Sequence, residues 1–247
     1  MLTAVDAGSR DFIVPARVTC LSFDIWRTLL VGNPEFTRPR LALLFELLGW
    51  PGRDVESLRE AYLASDRHFD DLSESTGLDY PLAVRVEFMF GMLGIDDTVP
   101  GPQAVAAIQA RLGALRLVDA YMPTLTEPDA VDTLARLRDA GYRLGLLSNT
   151  GLDNEQVMRP VLEKLGIWQL CDVHLFSSEE GIAKPNPEIF HRLAGRFGAL
   201  PGEVLHVGDN ANADYRAREA GLSSVLYAPQ GAPSHEAIHS LRELLPA

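Results

Sequence analysis

Residues 18–30, VTCLSFDIWRTLL, decide the fold of this chain. Val18 to Phe23 form a short, mostly apolar and β-branched run, and the run ends at a charged residue, Asp24. Such continuous runs are typical of strands in a parallel sheet that is covered on both faces. Ligands of open parallel sheets bind at the carboxyl ends of the strands. Asp24 is therefore the first candidate functional residue.

The sequence after Pro123 alternates between helix and strand patterns. Pro128 and Gly141 bracket the first predicted helix, because proline is favoured in the first turn and glycine just past the last. The predicted helices cover residues 128–140, 154–165 and 187–197, and the predicted strands cover residues 143–147, 173–176, 204–207 and 224–227. Single helices between apolar strands imply helices on both faces of a parallel sheet. The predicted fold class is α/β, a doubly wound, Rossmann-like parallel sheet.

The intervening sequence, from about residue 34 to residue 123, is predicted to be helical. Apolar residues recur there with helical spacing, as at Leu41, Leu44 and Leu48. No convincing strand pattern interrupts them. We expect two domains: a core, residues 1–30 and 124–247, and an all-helical cap inserted into it, residues 31–123.

The composition excludes several classes of protein. The chain has 247 residues and a formal net charge of -12, which repels the phosphate backbone of nucleic acids. No apolar run approaches the roughly 18 to 20 residues that span a membrane, and residues 1–17 lack a secretory signal and are expected on the core surface. We expect a cytoplasmic protein without nucleic-acid or membrane partners, and no pattern specifies its oligomeric state. Cys20 and Cys171 have apolar neighbours and are predicted to be buried thiols.

Polar residues follow the predicted strands directly. They are Asp24, Ser148, Asn149, Lys184, Asp209 and Asp214. Three carboxylates at one edge of a sheet repel each other or bind protons unless cations compensate them. Lys184 supplies one positive charge and a divalent ion supplies two, and hard oxygen ligands favour Mg2+. The sequence therefore predicts a Mg2+ site that leaves room for an anionic substrate.

The segments that carry these residues resemble the four motifs of the haloacid dehalogenase (HAD) superfamily. The matching segments are SFDIWRTLL at 22–30, LLSNT at 146–150, IAKPNPEIF at 182–190 and VGDNANADYRAREAGL at 207–222. The resemblance covers the chain from about Val18 to Tyr227, and the cap matches only as an unspecific helical insert. The motifs stand in the order of the family, each just after a predicted strand. The resemblance implies a HAD core, an inserted cap and hydrolase activity.

The resemblance also implies a role for each motif residue. Asp24 would be the nucleophile that forms a covalent aspartyl intermediate, while Ser148, the neighbouring amides and Lys184 would stabilise a phosphoryl group. The implied Mg2+ ligands are the backbone carbonyl of Trp26 and the carboxylates of Asp24, Asp209 and Asp214, the last in the outer shell. The candidate substrate-binding residues are Trp26, Thr28 and Asn149. The implied substrate is a small phosphorylated metabolite.

The sequence departs from the family pattern at two positions beside Asp24. Trp26 stands where phosphatases of the family have the Asp that acts as general acid and base, and an indole cannot fill that role. General acid catalysis contributes roughly 10²- to 10⁴-fold, so we expect poor cleavage of alkyl phosphates and better cleavage of acyl or aryl phosphates. Arg27 replaces the usual Gly and adds a positive charge beside the site.

Trp26 also leaves two alternative functions open. An aromatic residue at this position is similar to the haloacid dehalogenase branch, where attack on carbon expels halide without an acid. That branch lacks the metal and has an uncharged polar group at the position of Asp209. A catalytically weak binding or regulatory protein is the other alternative. The presence of both Asp209 and Asp214 favours a metal and phosphoryl chemistry.

Two further polar features are interpreted as structural. His206 lies within a predicted strand, which indicates a buried, hydrogen-bonded side chain. The charged stretch from Asp66 to Asp71 is interpreted as a solvated helix face in preference to a metal site. Trp26 is expected either to fill space as a packing residue or to contact the substrate.

Overall fold

The strands form one central sheet and one small pair. The structure is a computed structural model and describes residues 12–48, 54–94, 100–231 and 236–246. The strands in these ranges are β1 (Cys20–Phe23), β2 (Leu30–Val31), β3 (Thr124–Leu125), β4 (Arg143–Ser148), β5 (Val173–Phe176), β6 (Val204–Gly208), β7 (Ser223–Tyr227) and β8 (Ala237–Ile238). The sheet has the strand order β5-β4-β1-β6-β7-β8, and neighbouring strands in it are parallel. The predicted α/β class with a parallel sheet is confirmed.

The helices fall into two groups along the chain. Among the described residues, four lie between β2 and β3: α1 (Thr37–Leu48), α2 (Val55–Thr76), α3 (Leu82–Leu93) and α4 (Pro102–Arg116). Four follow β3 and connect the strands: α5 (Ala130–Asp139), α6 (Glu155–Lys164), α7 (Ser177–Glu180) and α8 (Pro187–Phe197). We call α1 to α4 the cap and the remaining elements the core. The exact division of the domains at residues 30/31 and 123/124 stays a prediction.

Local sequence explains where the core helices begin and end. The side chain of Asn154 accepts a hydrogen bond from the backbone N–H of Val157 at 3.2 Å and caps α6. Asn186 accepts from the backbone N–H of Glu188 at 3.0 Å at the start of α8, where Pro187 takes the first position. These side chains satisfy N–H groups that have no partner inside a helix. Gly198 ends α8 with a φ of 62°, a conformation that glycine adopts without strain.

The sheet is buried on both faces. Leu21 and Phe23 of β1 pack on one face with residues of α5 and α6, while Cys20 contributes to the opposite face with residues of α8. Each fully buried Leu or Phe side chain contributes about 1.5–3 kcal/mol to the stability of the fold. β1 therefore lies in the middle of the apolar core, and Asp24 follows it at the sheet edge.

The cap has an apolar cluster of its own. Leu44, Leu58, Val86 and Leu112 come from its four different helices and are almost completely buried. Leu152 and Val157 of the core join this cluster. The cap is thus packed against the core directly beside the segment that follows β4.

Several boundaries differ from those predicted. β1 begins at Cys20 and not at Val18, because the N–H of Val18 donates to Pro15 O in a turn at 2.8 Å. The helix predicted to start at Pro128 starts at Ala130. β8 was not predicted, since a two-residue strand is too short to produce a recognisable pattern.

The predictions for the cysteines and the first residues have different outcomes. Cys20 and Cys171 are buried and form no disulfide, as predicted. Phe12 and Val14 are partly buried against the core. Residues 1–11, which belong to the predicted leader, lie outside the described residues.

Candidate active site

The predicted site residues come together at the carboxyl edge of the central strands. β1 lies between β4 and β6, with Phe23 opposite both Leu146 and Val207. The backbone N–H of Asp24 donates to Val207 O at 2.8 Å, so the sheet pairing continues to this residue. Asp24 is therefore held by the backbone at the centre of the edge, between the loops that follow β4 and β6.

Lys184 is the centre of the charged cluster. Its Nζ donates to Asp24 Oδ1 at 2.6 Å, to Asp214 Oδ1 at 2.5 Å and to Leu147 O at 3.1 Å. All three donor positions of the ammonium group are therefore used, and the side chain is only 2% exposed. A buried ion pair of this kind is costly to break, because removal of one partner leaves an uncompensated charge.

Asn149 fixes the loop that carries Lys184. Its side-chain Oδ1 accepts from the backbone N–H of Lys184 at 2.8 Å, and its Nδ2 donates to the backbone carbonyl of the same residue at 2.8 Å. These two hydrogen bonds fix the position and the orientation of the Lys184 backbone. Asn149 also lines the cavity above the site, so its amide can act on the lysine loop and on a bound molecule.

Asp214 is held from three directions. Its Oδ1 also accepts from His206 Nε2 at 3.0 Å, and its Oδ2 accepts from the N–H of Asn210 at 3.0 Å. His206 is fully buried and contacts Ser22 Oγ through Nδ1 at 3.1 Å, as expected for a structural histidine. Gly208 is required here, because a Cβ at this position would lie 2.1 Å from Asp214 Cγ.

Burial and charge determine the ionisation of the cluster. Burial raises the pKa of Asp24 to about 7, although the charge of Lys184 opposes the shift. Burial alone would raise the pKa of Asp214, but Lys184 and the hydrogen bond from His206 outweigh it and hold that pKa far below its usual range. The two carboxylates likewise outweigh the effect of burial on Lys184 and raise its pKa. The lysine is therefore charged at neutral pH.

Asp209 completes a group of three carboxylates. Oxygen atoms of Asp24, Asp209 and Asp214 lie within 4.8 Å of one another. These are hard oxygen donors at a spacing compatible with a shared divalent ion, so the residues present fit Mg2+. Burial raises the pKa of Asp209, as expected for a carboxylate without full compensation. Its present partner is Arg27, whose Nε lies 3.0 Å from Asp209 Oδ2.

Arg27 has an unusual backbone conformation. Its φ of 62° is in the left-handed region, and no other non-glycine residue in the described ranges has a positive φ. A residue with a Cβ pays about 1–2 kcal/mol for this conformation, which explains why glycine is usual here. The Arg27 side chain is 73% exposed and extends back to Asp209. The structure thus shows where the positive charge of Arg27 points, which the sequence did not specify.

Ser148 and Thr28 are not among the residues that line the cavity. Both are buried, and Ser148 Oγ donates to the carbonyl of Asn149 at 3.3 Å. The Thr28 hydroxyl has no hydrogen-bond partner in the described part of the chain, while its backbone carbonyl accepts from Thr126 Oγ1 at 2.7 Å. Neither hydroxyl is open to solvent.

Trp26 forms part of the boundary between core and cap. It is half-buried, packs against the main apolar cluster and lines the cavity. The guanidinium carbon of Arg116, a cap residue, lies 5.3 Å from the centre of its ring. Trp26 therefore packs and also faces the cavity, so the two roles weighed from the sequence are compatible.

A cavity of about 360 Å³ lies between the charged cluster and the cap. Cap residues that no motif indicated line it: Arg40, Tyr62, Asp66, Asp70, Glu74, Arg85 and Arg116. Asp66 and Asp70 belong to the stretch interpreted as a solvated face; Asp70 keeps an exposed surface, and both residues also line the cavity. They recur on one side of α2 at a spacing of four residues, which was the available signal. Burial, followed by the charge of Asp66, raises the pKa of Asp70 to about 6.

No helix in the described ranges is both long and apolar enough to cross a membrane.

Comparisons with known proteins place this arrangement in a family. Residues 18–221 match the family of haloacid dehalogenase-like hydrolases. A glyceraldehyde 3-phosphate phosphatase of Methanopyrus kandleri is 31% identical over 69% of this chain and 72% of its own length. The human haloacid dehalogenase-like hydrolase domain-containing protein 3 is 31% identical over 94% of both chains. A HAD phosphatase of Thermococcus onnurineus superposes with a TM-score of 0.62 at 25% identity, covering 92% of this chain and 95% of its own. The family match spans every residue of the charged cluster, and this chain belongs to the haloacid dehalogenase-like hydrolases.

Proposed function

We propose that this protein is a Mg2+-dependent hydrolase that transfers a phosphoryl group from a small phosphorylated metabolite through an aspartyl-phosphate at Asp24. The observation that carries the proposal is the group of three carboxylates, with oxygens within 4.8 Å of one another, beside one buried lysine. Lys184 compensates one negative charge, and two remain for a divalent ion. Curated relatives named as phosphatases support phosphoryl chemistry, while a relative named as a haloacid dehalogenase keeps carbon chemistry as the second candidate.

The residues of the chain support a two-step reaction. A carboxylate oxygen of Asp24 attacks phosphorus, and the bond from phosphorus to the leaving oxygen breaks, so the leaving group departs with the electron pair. Water then attacks the phosphorus of the aspartyl-phosphate, which releases inorganic phosphate and restores Asp24. Lys184 holds the nucleophile in place through its 2.6 Å contact, and its charge opposes the negative charge that develops during transfer.

Asp24 and Asp209, with the Trp26 carbonyl, would hold the Mg2+, and Asp214 would support it from the outer shell. When bound, Mg2+ would offset charge on the transferring phosphoryl group. Arg27 is mostly exposed and can swing away from Asp209, which leaves the carboxylate available.

The chain supplies no carboxylic acid at position 26 to protonate a leaving oxygen. Trp26 occupies that place and lines the cavity, so the leaving group faces an indole ring. A leaving group of low pKa needs no proton in the transition state, and this favours acyl and aryl phosphates over alkyl phosphates.

The experiment that tests the proposal measures phosphate release from acetyl phosphate, phenyl phosphate and an alkyl phosphate, with Mg2+ and with a chelator. We expect Mg2+-dependent release, fastest for the acyl and aryl substrates. Asp24→Asn serves as the matched variant, because the amide has nearly the same shape and lacks the nucleophile. No release from any substrate at high enzyme concentration would contradict the proposal and favour a binding or regulatory role.

Trp26 specifically favours a second candidate, a carbon-centred hydrolysis of the dehalogenase type. Attack on carbon expels halide and needs no general acid. The same preparation tested against 2-haloacids distinguishes the candidates, because halide release that persists in a chelator would indicate carbon chemistry. Asp209 argues against this candidate, since a carboxylate is not needed where no metal binds.

A further inference from the structure

The cap contributes two neighbouring arginines to the cavity. Arg40 comes from α1 and Arg116 from the end of α4. Both guanidinium groups lie over the ring of Phe36, with their central carbons 5.1 Å and 3.5 Å from its centre. Arg40 also lies 4.4 Å from the centre of the Tyr62 ring. Two cations from different helices therefore share one aromatic corner of the cavity.

One arginine of this corner has a carboxylate partner, and the other has none. Arg116 pairs with Asp153, and both side chains are largely buried. Arg40 has no carboxylate within 4.0 Å among the described residues. Burial lowers the pKa of Arg116, and the nearby charge of Arg40 lowers it further, although Asp153 opposes both effects. Asp153 is therefore the partner of Arg116, and Arg40 has no carboxylate partner in the described part of the chain.

Both arginines also have unused hydrogen-bond donors. The Nε groups of Arg40 and Arg116 are buried without a hydrogen-bond partner in the described part of the chain, and both residues line the cavity. Buried N–H groups of native proteins almost always have partners. Arg116 is only 4% exposed, so bulk water cannot serve it freely. Donors of this kind, on cations facing a cavity, suit an anionic ligand group.

The acidic residues of the cavity begin beside this corner, where Tyr62 Oη donates to Asp66 Oδ2 at 3.5 Å. Asp66, Asp70 and Glu74 are on α2. Arg85 offsets the charge of Asp70, and Glu74 accepts a hydrogen bond from Asn210 at 2.7 Å. The acidic side of the cavity is therefore partly compensated by groups that are not Arg40 or Arg116.

We propose that Arg40 and Arg116 form a subsite for a second anionic group of the substrate, specifically a carboxylate. This proposal depends on the proposed function, because the first anionic group is the phosphate that reacts at Asp24. Both groups line the same cavity of about 360 Å³, so a small molecule can reach the charged cluster and the arginine corner together. Trp26 lies between them, near Arg116 and two residues after Asp24. The substrate class is a small phosphorylated carboxylic acid.

The experiment uses matched aromatic probes that differ only in one substituent. Calorimetry with Mg2+ measures binding of 4-carboxybenzylphosphonate, its carboxamide and its aminomethyl analogue, none of which can be hydrolysed. Turnover is measured in parallel with the corresponding aryl phosphates, which carry the same three substituents. We expect the carboxylate to bind and react best, with a ratio of carboxylate to carboxamide of about tenfold or more, typical of a charge-assisted contact.

Arg40→Gln is the decisive variant and Arg38→Gln is its control. Arg40 has no carboxylate partner, so its substitution leaves no buried carboxylate without a paired cation. Arg38 is on the same helix, carries the same charge, is exposed and does not line the cavity. We expect the ratio of carboxylate to carboxamide to fall about tenfold in Arg40→Gln, for both binding and kcat/KM, and to stay at the parent value in Arg38→Gln.

The outcomes separate the subsite from the reaction. Tight, Arg40-dependent binding of the carboxylate phosphonate without any turnover would uphold the subsite and contradict the proposed function. Equal binding of carboxylate and carboxamide, or stronger binding of the aminomethyl probe, would overturn the subsite even if phosphate is released. No binding of the carboxylate phosphonate would also overturn it.

Discussion

The two ends of the cavity are built in different ways. At the core end, Lys184 makes contacts of 2.6 and 2.5 Å with Asp24 and Asp214, and these charges compensate each other. At the cap end, Arg40 and Arg116 each have a buried Nε without a partner in the described residues, and only Arg116 has a carboxylate partner, Asp153. The core end is held by parallel strands, while the cap end is assembled from separate helices.

This difference indicates that the core end serves the reaction and the cap end serves substrate selection. Side chains that must keep one geometry during a reaction are fixed by the sheet and by buried ion pairs. Side chains that select a substrate can remain partly unsatisfied until the ligand arrives. Changes at the core end should therefore affect all substrates alike, and changes at the cap end should affect some substrates more than others.

The largest expected effect is at the nucleophile. Asp24→Asn should lower kcat for every hydrolysed substrate by about 10³-fold or more, as for other essential nucleophiles. Lys184 keeps Asp214 as its partner, so far-UV circular dichroism should be unchanged. Turnover close to the parent rate in a folded variant would show that Asp24 is not the nucleophile.

Asp209→Asn tests the metal site without removing the nucleophile. In the parent, Mg2+ at about 100 times its Kd should stabilise the fold by about 2.7 kcal/mol through ligand linkage. The variant should gain little, because one of the proposed ligands is lost. Thermal unfolding with and without Mg2+ measures the difference. An equal Mg2+ response in both proteins would remove Asp209 from the set of ligands.

Gly77→Ala tests the contact between the cap and the loop that carries Lys184. Gly77 ends α2 with a φ of 69°, and its carbonyl accepts from the N–H of Ala183 in the lysine loop at 3.0 Å. A Cβ at Gly77 would lie 2.8 Å from Asn186 Cβ. We expect a loss of about 2 kcal/mol or more in unfolding free energy and a lower kcat, since strained backbone costs about 1–3 kcal/mol.

Gly94→Ala is the matched control for this substitution. Gly94 also ends a cap helix, with a φ of 63°, but a Cβ there would meet no atom of the described residues within 4 Å. Gly94→Ala should lower the unfolding free energy by only about 1 kcal/mol, the cost of the left-handed backbone conformation, and leave kcat unchanged. If both variants lose the same stability and the same kcat, the contact between cap and lysine loop has no separate effect.

Trp26→Asp should change the preference among leaving groups. A carboxyl group two residues after Asp24 can protonate a basic leaving oxygen, so the ratio of kcat/KM for alkyl over aryl phosphates should rise about tenfold, a fraction of the full effect of a general acid. The loss of packing at position 26 affects both substrates, so it cancels in the ratio of their kcat/KM values. A ratio that does not move, in a folded and Mg2+-responsive variant, would favour the carbon-centred or non-catalytic alternative.

The smallest expected effect is that of Arg27→Gly. Glycine relieves the left-handed conformation, worth about 1 kcal/mol, and loses an ion pair to a mostly exposed side chain, worth about 1 kcal/mol or less. Unfolding free energy should therefore change little, while Mg2+ binds more tightly because a competing cation leaves Asp209. Calorimetric titration of Mg2+ checks this, and weaker binding would mean that Arg27 supports the site.

The sequence predicted which side chains meet at the core end, because the topology of the chain brings them together there. Asp24, Lys184 and Asp209 each follow a buried strand or its connecting loop, and the ends of parallel strands meet at one edge. Their approach therefore follows from strand positions alone. The sequence did not show that Asp66 and Asp70 also line the cavity, because the same helical pattern fits a solvated face and a cavity wall equally well.

The sequence by itself determined the α/β class, the helical insert and the identity of the charged cluster. Periodic apolar patterns and the order of the motifs carry that information locally. Only the tertiary structure decided that Arg40 and Arg116 share one corner, that Gly77 contacts the lysine loop and that Arg27 faces Asp209. Such contacts join residues far apart in the chain, and they depend on how helices pack and on backbone dihedrals. No local pattern specifies either of these.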